Sequence, residues 1–184
     1  MAASIAIENH YLHRRPNMSF AFGLFRGDEV LGICTFGVPP SRHLQKSLCP
    51  SNPSKVIELN RLWVCDSMGK NTESWFISRV LKLLPPFIVV SYADTAAGHD
   101  GTIYKASNFY YSGLTDSDRK TPRYDYVVDG KHSRDAFRNG NYIRVRRKPK
   151  HKFWTTTGDR RQRYNLEKQV AWPKLRYVRH YPFQ

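Results

Sequence analysis

Three observations predict an α/β fold. The run Phe87-Ile88-Val89-Val90 is continuously apolar and β-branched or aromatic, which reads as a buried strand. Before it, Phe76, Val80, Leu83 and Leu84 recur at helical spacing beside Ile77 and Leu81, and Pro85-Pro86 stops the helix, because proline cannot continue the hydrogen-bond ladder. Earlier still, Val56-Ile57-Glu58-Leu59-Asn60-Arg61-Leu62-Trp63-Val64 reads as a central strand, joined to the helix by the polar link Cys65-Asp66-Ser67-Met68-Gly69-Lys70. Strand, polar turn, helix and strand make a βαβ unit. Asn71 or Thr72 is the expected cap, and a helix N-terminus above strand ends favours a phosphate or pyrophosphate.

The other elements follow in chain order. Residues 5–15 contain Asn9-His10-Tyr11-Leu12-His13 and end at Pro16; polar residues dominate, and the structure there is left open. Residues 18–37 alternate small and large apolar side chains on both sides of Arg26-Gly27-Asp28-Glu29, a hairpin signal. Residues 38–54 hold four prolines among serines, the composition of a loop. Residues 102–107 suit a short helix, Phe109-Tyr110-Tyr111 and residues 124–128 suit strands, and residues 142–147 read as an edge strand with a cationic face.

A chain of 184 residues suits one domain plus an extension. Three widely spaced cysteines suit reduced thiols rather than a disulfide framework or structural zinc. No stretch approaches the roughly 18 apolar residues of a membrane span, and no signal peptide is visible at the N-terminus, so a cytoplasmic protein without a membrane partner is expected. Residues 1–118 hold 11 Lys and Arg against 10 Asp and Glu, whereas residues 119–184 hold 19 against 5. So lopsided a balance suits a polyanion, since each neutralised phosphate releases counterions. Interleaved aromatics such as Tyr142, Phe153, Trp154 and Tyr164 argue against a merely solvated, disordered tail. Arg144, Arg146, Arg147, Lys148, Lys150 and Lys152 are the expected contacts to a nucleic-acid backbone.

The stretch from Tyr92 to Tyr111 carries the candidate chemistry. The buried strand delivers Asp94 to its C-terminal end, where ligands of open α/β sheets bind. Asp94 is either a base or a turn cap. His99 is a positioning group or an exposed loop residue, and Tyr104 is a ligand, a proton donor or a core tyrosine. Phe109-Tyr110-Tyr111 suit either stacking on an extruded base or core packing. Arg61, a charge on an apolar strand, needs a phosphate or an internal carboxylate such as Glu58 or Glu73.

The hairpin, central strand, helix, following strand and the Tyr104, Asn108, Phe109 segment together resemble the GNAT acetyltransferase architecture: a central mixed sheet flanked by helices, here over residues 1–130, with a basic extension over 131–184 packed on or continuing that domain. A closer resemblance is to the bacteriophage Mom family. It rests on Leu59-Asn60-Arg61-Leu62-Trp63-Val64, Asn71-Thr72-Glu73-Ser74, Ser91-Tyr92-Ala93-Asp94, Gly98-His99-Asp100-Gly101-Thr102-Ile103-Tyr104 and the early His10-Tyr11 pair. That resemblance implies a transferase that places a carbamoylmethyl group on N6 of adenine in double-stranded DNA, protecting phage DNA from host restriction. It implies His10, Tyr11, Asp94 and Tyr104 as the catalytic group and as ligands of an iron (Fe2+). A rival ligand set is His10, His13 and Asp94. It also implies Arg61 and Ser74, with Gly69, Lys70 and Asn71, at a site for acetyl-CoA or a related acyl-CoA. The pyrophosphate loop of ordinary acetyltransferases is represented only by Asp66-Ser67-Met68-Gly69-Lys70-Asn71. Two alternatives stand beside this expectation: a coenzyme A-dependent N-acyltransferase acting on RNA or a small amine, and a non-catalytic nucleic-acid-binding protein. Homodimerisation is left open.

Overall fold

The hairpin closes as its alternation requires: β1 (Phe20–Arg26) pairs antiparallel with β2 (Glu29–Gly37) around Gly27-Asp28, and Arg26 bridges the turn to Glu29 at 2.8 Å. The computed structural model describes residues 2–10, 15–117, 119–128, 131–132 and 142–175. Within them β3 (Val56–Val64), α3 (Thr72–Leu81) and β4 (Ile88–Asp94) form the βαβ unit, with Asn71 as the helix cap. Two early segments differ from expectation. Residues left open near the N-terminus are helical as α1 (Ala2–Asn9), and the proline-rich loop contains α2 (Arg42–Leu48), whose Leu48 is buried. Prolines 39, 40, 50 and 53 flank that helix rather than interrupt it, so they mark its ends.

Six strands make one mixed sheet in the order β1-β2-β3-β4-β9-β5, where β5 is Tyr110–Leu114 and β9 is Lys150–Thr156. Strand β9 comes from the basic C-terminal third, yet it runs antiparallel between β4 and β5, pairing Val90 with Trp154 and Asp94 with Lys150. Its sequence explains the position: His151, Phe153, Trp154, Thr155 and Thr156 are all buried, as a strand covered on both faces requires. A second sheet, ordered β7-β6-β8, contains β6 (Tyr124–Val128), β7 (Lys131–His132) and β8 (Ile143–Arg146), and β8 is the expected edge strand.

Two apolar clusters sandwich the large sheet. On one face Phe36, Leu59, Ile77, Val89 and Phe153 pack with α3 and α4 (Thr102–Ala106). On the other, Val56, Ile88, Val90 and Trp154 pack beneath α2 and α5 (Arg160–Glu167), the latter started by a capping box between Asp159 and Gln162. No helix among the described residues is long and apolar enough to cross a membrane.

Trp154 is fully buried, and its Nε1–H has no hydrogen-bond partner among the described residues, so truncation removes packing without breaking a bond. Trp154→Ala is expected to cost about 3–5 kcal/mol in urea-unfolding experiments. An unchanged midpoint would show that β9 is not part of the core.

Candidate active site

The site begins with an irregularity in β3. Thr35 of β2 faces Arg61 and the next residue, Phe36, faces Leu59, so Asn60 is an extra residue in β3, a β-bulge. Its side chain is held from both ends: Thr35 Oγ1 donates to Asn60 Oδ1 at 2.6 Å, and Asn60 Nδ2 donates to the Asn17 carbonyl at 2.7 Å. A bulge bends its strand and reverses the facing of the residues beyond it. Strands β3 and β4 accordingly pair only at Val56–Ile88, Ile57–Val89 and Glu58–Val90. Beyond that point they part, and Ser91 Oγ donates to the Leu59 carbonyl at 3.1 Å across the start of the gap.

The opening is a cleft of about 480 Å³, within the size range of small-ligand sites. Glu58, Asn60, Arg61, Tyr92 and Lys150 line it, together with Glu73 from α3 and His10 after α1. Residues 98–104 complete the wall. Because the bulge shifts the alternation, Arg61 shares a sheet face with Glu58. Cross-strand pairing with Asp94 puts Lys150 on that same face. Burial pushes the Glu58 carboxyl up to about 7, against the pull of Arg61 and Lys150, which favour the carboxylate. Burial also raises the Tyr92 hydroxyl, and the neighbouring Glu58 adds to that effect.

The far wall depends on Gly101. It adopts φ +78°, and a Cβ there would lie 2.3 Å from the Phe153 ring. Only glycine permits this approach, which seats α4 and Tyr104 against the sheet. Tyr104 is buried, with its ring 5.4 Å from Phe109 and 5.3 Å from Phe153.

The residues singled out from the sequence do not all meet in the cleft. His10, Arg61, His99 and Tyr104 all line the cleft, whereas Tyr11 and His13 lie outside the described residues. Asp94 sits beside the cleft, bonded at both oxygens: Oδ1 accepts from the Ala96 amide at 3.0 Å and Oδ2 from Lys150 Nζ at 2.5 Å. It therefore caps the 3-10 turn after β4 and anchors a lysine. Ser74 is buried away from the cleft, its hydroxyl on the Asn71 carbonyl at 3.0 Å and its own carbonyl receiving Ser107 Oγ at 3.2 Å. Gly69, Lys70 and Asn71 form the exposed turn into α3 and do not line the cleft. Among the described residues no three His, Cys, Asp or Glu side chains gather as a metal site.

The expected DNA contacts also separate. Lys150 belongs to the cleft, Lys152 lies over the Trp172 ring at 4.8 Å, and Arg147 is ion-paired with Asp125, which raises its pKa through the hydrogen bond between them. Arg144, Arg146 and Lys148 remain on the exposed surface at β8. Glu58 had entered only as a partner for Arg61, and Lys150 only as a backbone contact. An acid between Ile57 and Leu59, in the apolar first half of the strand, was the available signal for the first.

Fold and site together define a mixed α/β protein whose two parallel strands part around a cleft lined by both charged and apolar side chains. The family model described as the Mom protein family matches residues 1–182, and the chain belongs to that family. It is also 33% identical over 124 residues to the methylcarbamoylase mom of Escherichia phage Mu, a match covering 64% of this chain and 52% of that relative. The chain thus matches about half the length of the relative.

A carboxyl raised from 4.5 to about 7 on folding binds its proton more tightly in the native state. Stability from this group is complete below about pH 4.5 and is lost as pH rises towards 7. Glu58→Gln should flatten that part of the profile of unfolding free energy against pH. An identical slope in the variant would place the Glu58 carboxyl in water.

Proposed function

We propose that this protein is a DNA-modifying enzyme that transfers a carbamoylmethyl group to N6 of adenine in double-stranded DNA, so protecting phage DNA from host restriction. Membership of the Mom family and the likeness to the methylcarbamoylase mom of Escherichia phage Mu support the class of reaction. The GNAT-like reading of the fold is supported by the hairpin, β3, α3 and β4 following one another as that architecture expects. The observation that carries the proposal is a cleft at the fork with room for a nucleobase, lined by a carboxyl whose pKa burial raises to about 7.

Adenine N6 is a weak nucleophile because its lone pair is delocalised into the ring, so its proton must be removed as the new bond forms. A general base works best when its pKa lies near the working pH. Glu58 meets that condition at about 7. With a donor whose methylene carries a leaving group, that group departs with the electron pair of its bond to carbon as N6 bonds to the methylene. The N–H bond then gives its proton to Glu58. Lys150, anchored by Asp94, and Arg61 supply positive charge around that carboxylate and around an anionic part of the donor. An extruded adenine would bring its amino group to this wall of the cleft, since a base must leave the duplex to be reached.

Iron and acetyl-CoA, or a related acyl-CoA, belong to the same proposal. His10 and Tyr104 share the cleft and are acceptable iron ligands, and Tyr11 adjoins His10 in sequence. Asp94 would join them only by releasing Lys150. A bound iron would supply the redox chemistry needed where the donor carbon is a methyl, as in acetyl-CoA, and so carries no group able to leave. For acyl-CoA, Arg61 is the cleft residue suited to a phosphate.

Mass spectrometry of nucleosides from cells expressing the chain should find deoxyadenosine carrying a carbamoylmethyl group, reduced roughly 10²–10⁴-fold by Glu58→Gln. An acylated RNA or amine would instead support a coenzyme A-dependent N-acyltransferase, and no adduct would leave a binding protein. Metal analysis of purified protein should find iron that is lost in His10→Ala. Equal iron in both proteins would remove His10 from the ligand set.

A further inference from the structure

The small sheet β7-β6-β8 has two unlike faces. Tyr124 pairs with Arg146 and Tyr126 with Arg144, while Asp125 pairs with Val145 and Val127 with Ile143. Side chains on directly opposed residues share a face, and alternate residues share it along a strand. Tyr124, Tyr126, Arg144 and Arg146 therefore lie together, with Tyr142 continuing their row. The Arg144 guanidinium lies over the Tyr124 ring at 4.3 Å, and Tyr126 meets Tyr142 edge to face at 5.2 Å. All of β8 is exposed, and Tyr124 and Tyr142 keep 36% and 37% of their surface in solvent. The acid of this sheet, Asp125, is on the opposite face and bound to Arg147.

Such a face offers two kinds of contact at once. Tyrosine rings and a flat guanidinium stack on the faces of nucleobases, and arginine also pairs with phosphate. A paired duplex shows a protein its phosphates and base edges, while ring faces become available only where bases are unpaired. Phosphate binding alone would need the arginines but not an exposed tyrosine row beside them. Among the described residues of this sheet no acid shares that face, which fits a polyanion better than a second copy of this basic chain, whose like charge would be repelled.

We propose that the Tyr124, Tyr126, Arg144 and Arg146 face binds unpaired nucleic acid, its bases stacking on the tyrosines and on the Arg144 plane and its phosphates meeting Arg146. The proposal deepens the modification reading, on which it rests for its source of unpaired strand: extracting an adenine from a duplex leaves unpaired bases beside the cleft. The small sheet then holds that opened strand while the cleft holds the target.

The test is fluorescence anisotropy with the full chain and labelled single-stranded DNA, single-stranded RNA and duplex DNA of equal length, over a series of salt concentrations. Single strands should bind, and Tyr124→Ala should weaken that binding by about five- to a hundredfold without altering its salt slope. Tyr124→Phe should retain binding, which separates lost stacking from lost folding. Arg146→Gln should reduce the salt slope by about 0.7. Preference between the two single strands identifies the source of the bases. Unchanged single-strand affinity in Tyr124→Ala and Tyr142→Ala would overturn the proposal, as would equal losses for duplex and single strand. So would sedimentation showing that the wild-type chain self-associates through this face and that Tyr124→Ala disperses it. A chain that binds single strands through Tyr124 but leaves DNA unmodified would defeat the modification reading alone. An active enzyme indifferent to Tyr124 would defeat this one alone.

Discussion

One inserted residue governs the centre of this molecule. Asn60 has no counterpart in β2, and the bonds to Thr35 and Asn17 fix it as a bulge. Without it β3 would continue straight beside β4 and the two would pair along their lengths, as parallel strands in a buried sheet ordinarily do. Instead the pairing ends after Glu58 and Val90, and each strand keeps its outer partner, β2 on one side and β9 on the other. The sheet stays continuous at its base and forked at its top. Backbone groups on the inner edges beyond the fork are released from strand pairing, which makes that edge a natural place for a ligand.

The same bulge decides which side chains meet there. In an unbroken strand Glu58 and Arg61 would point to opposite faces; after the extra residue they point to one. Lys150 reaches that face from β9, where its pairing with Asp94 fixes it. A half-buried carboxyl thus sits between two cations and still stays protonated to about 7, so desolvation outweighs their attraction. That balance depends on the fork's geometry, since a wider opening would admit water and return Glu58 towards its ordinary value.

Much of the scaffold was legible in the amino-acid order because its signals are local. The hairpin, β3, α3 and its cap follow from alternation, helical period and proline, and the structure agrees with them closely. Strand β9 was not legible. Its lysines suggested surface, while its place in the sheet depends on pairing with β4 and β5, from 37 residues away (Leu114 with His151) to 68 (Ile88 with Thr156). The site was legible only in part for the same reason. The motifs containing His10, Arg61 and Tyr104 contribute to the cleft, but which carboxylate faces into it depends on a bulge that only pairing with β2 reveals.

The basic C-terminal third therefore divides by physical role rather than by charge. Lys150 is held in the cleft by a largely buried carboxylate, and Arg147 is tied to Asp125, so neither is available as a mobile countercharge for a polyanion. Lys152 and Lys174 spend their stems and charges over Trp172 and Trp154, closing the core beneath α5. What remains for a partner is narrower than the net charge of +15 suggests. It includes arginines set among tyrosines on a sheet that stands apart from the core, and pairing chemistry of that kind selects by ring stacking as well as by charge.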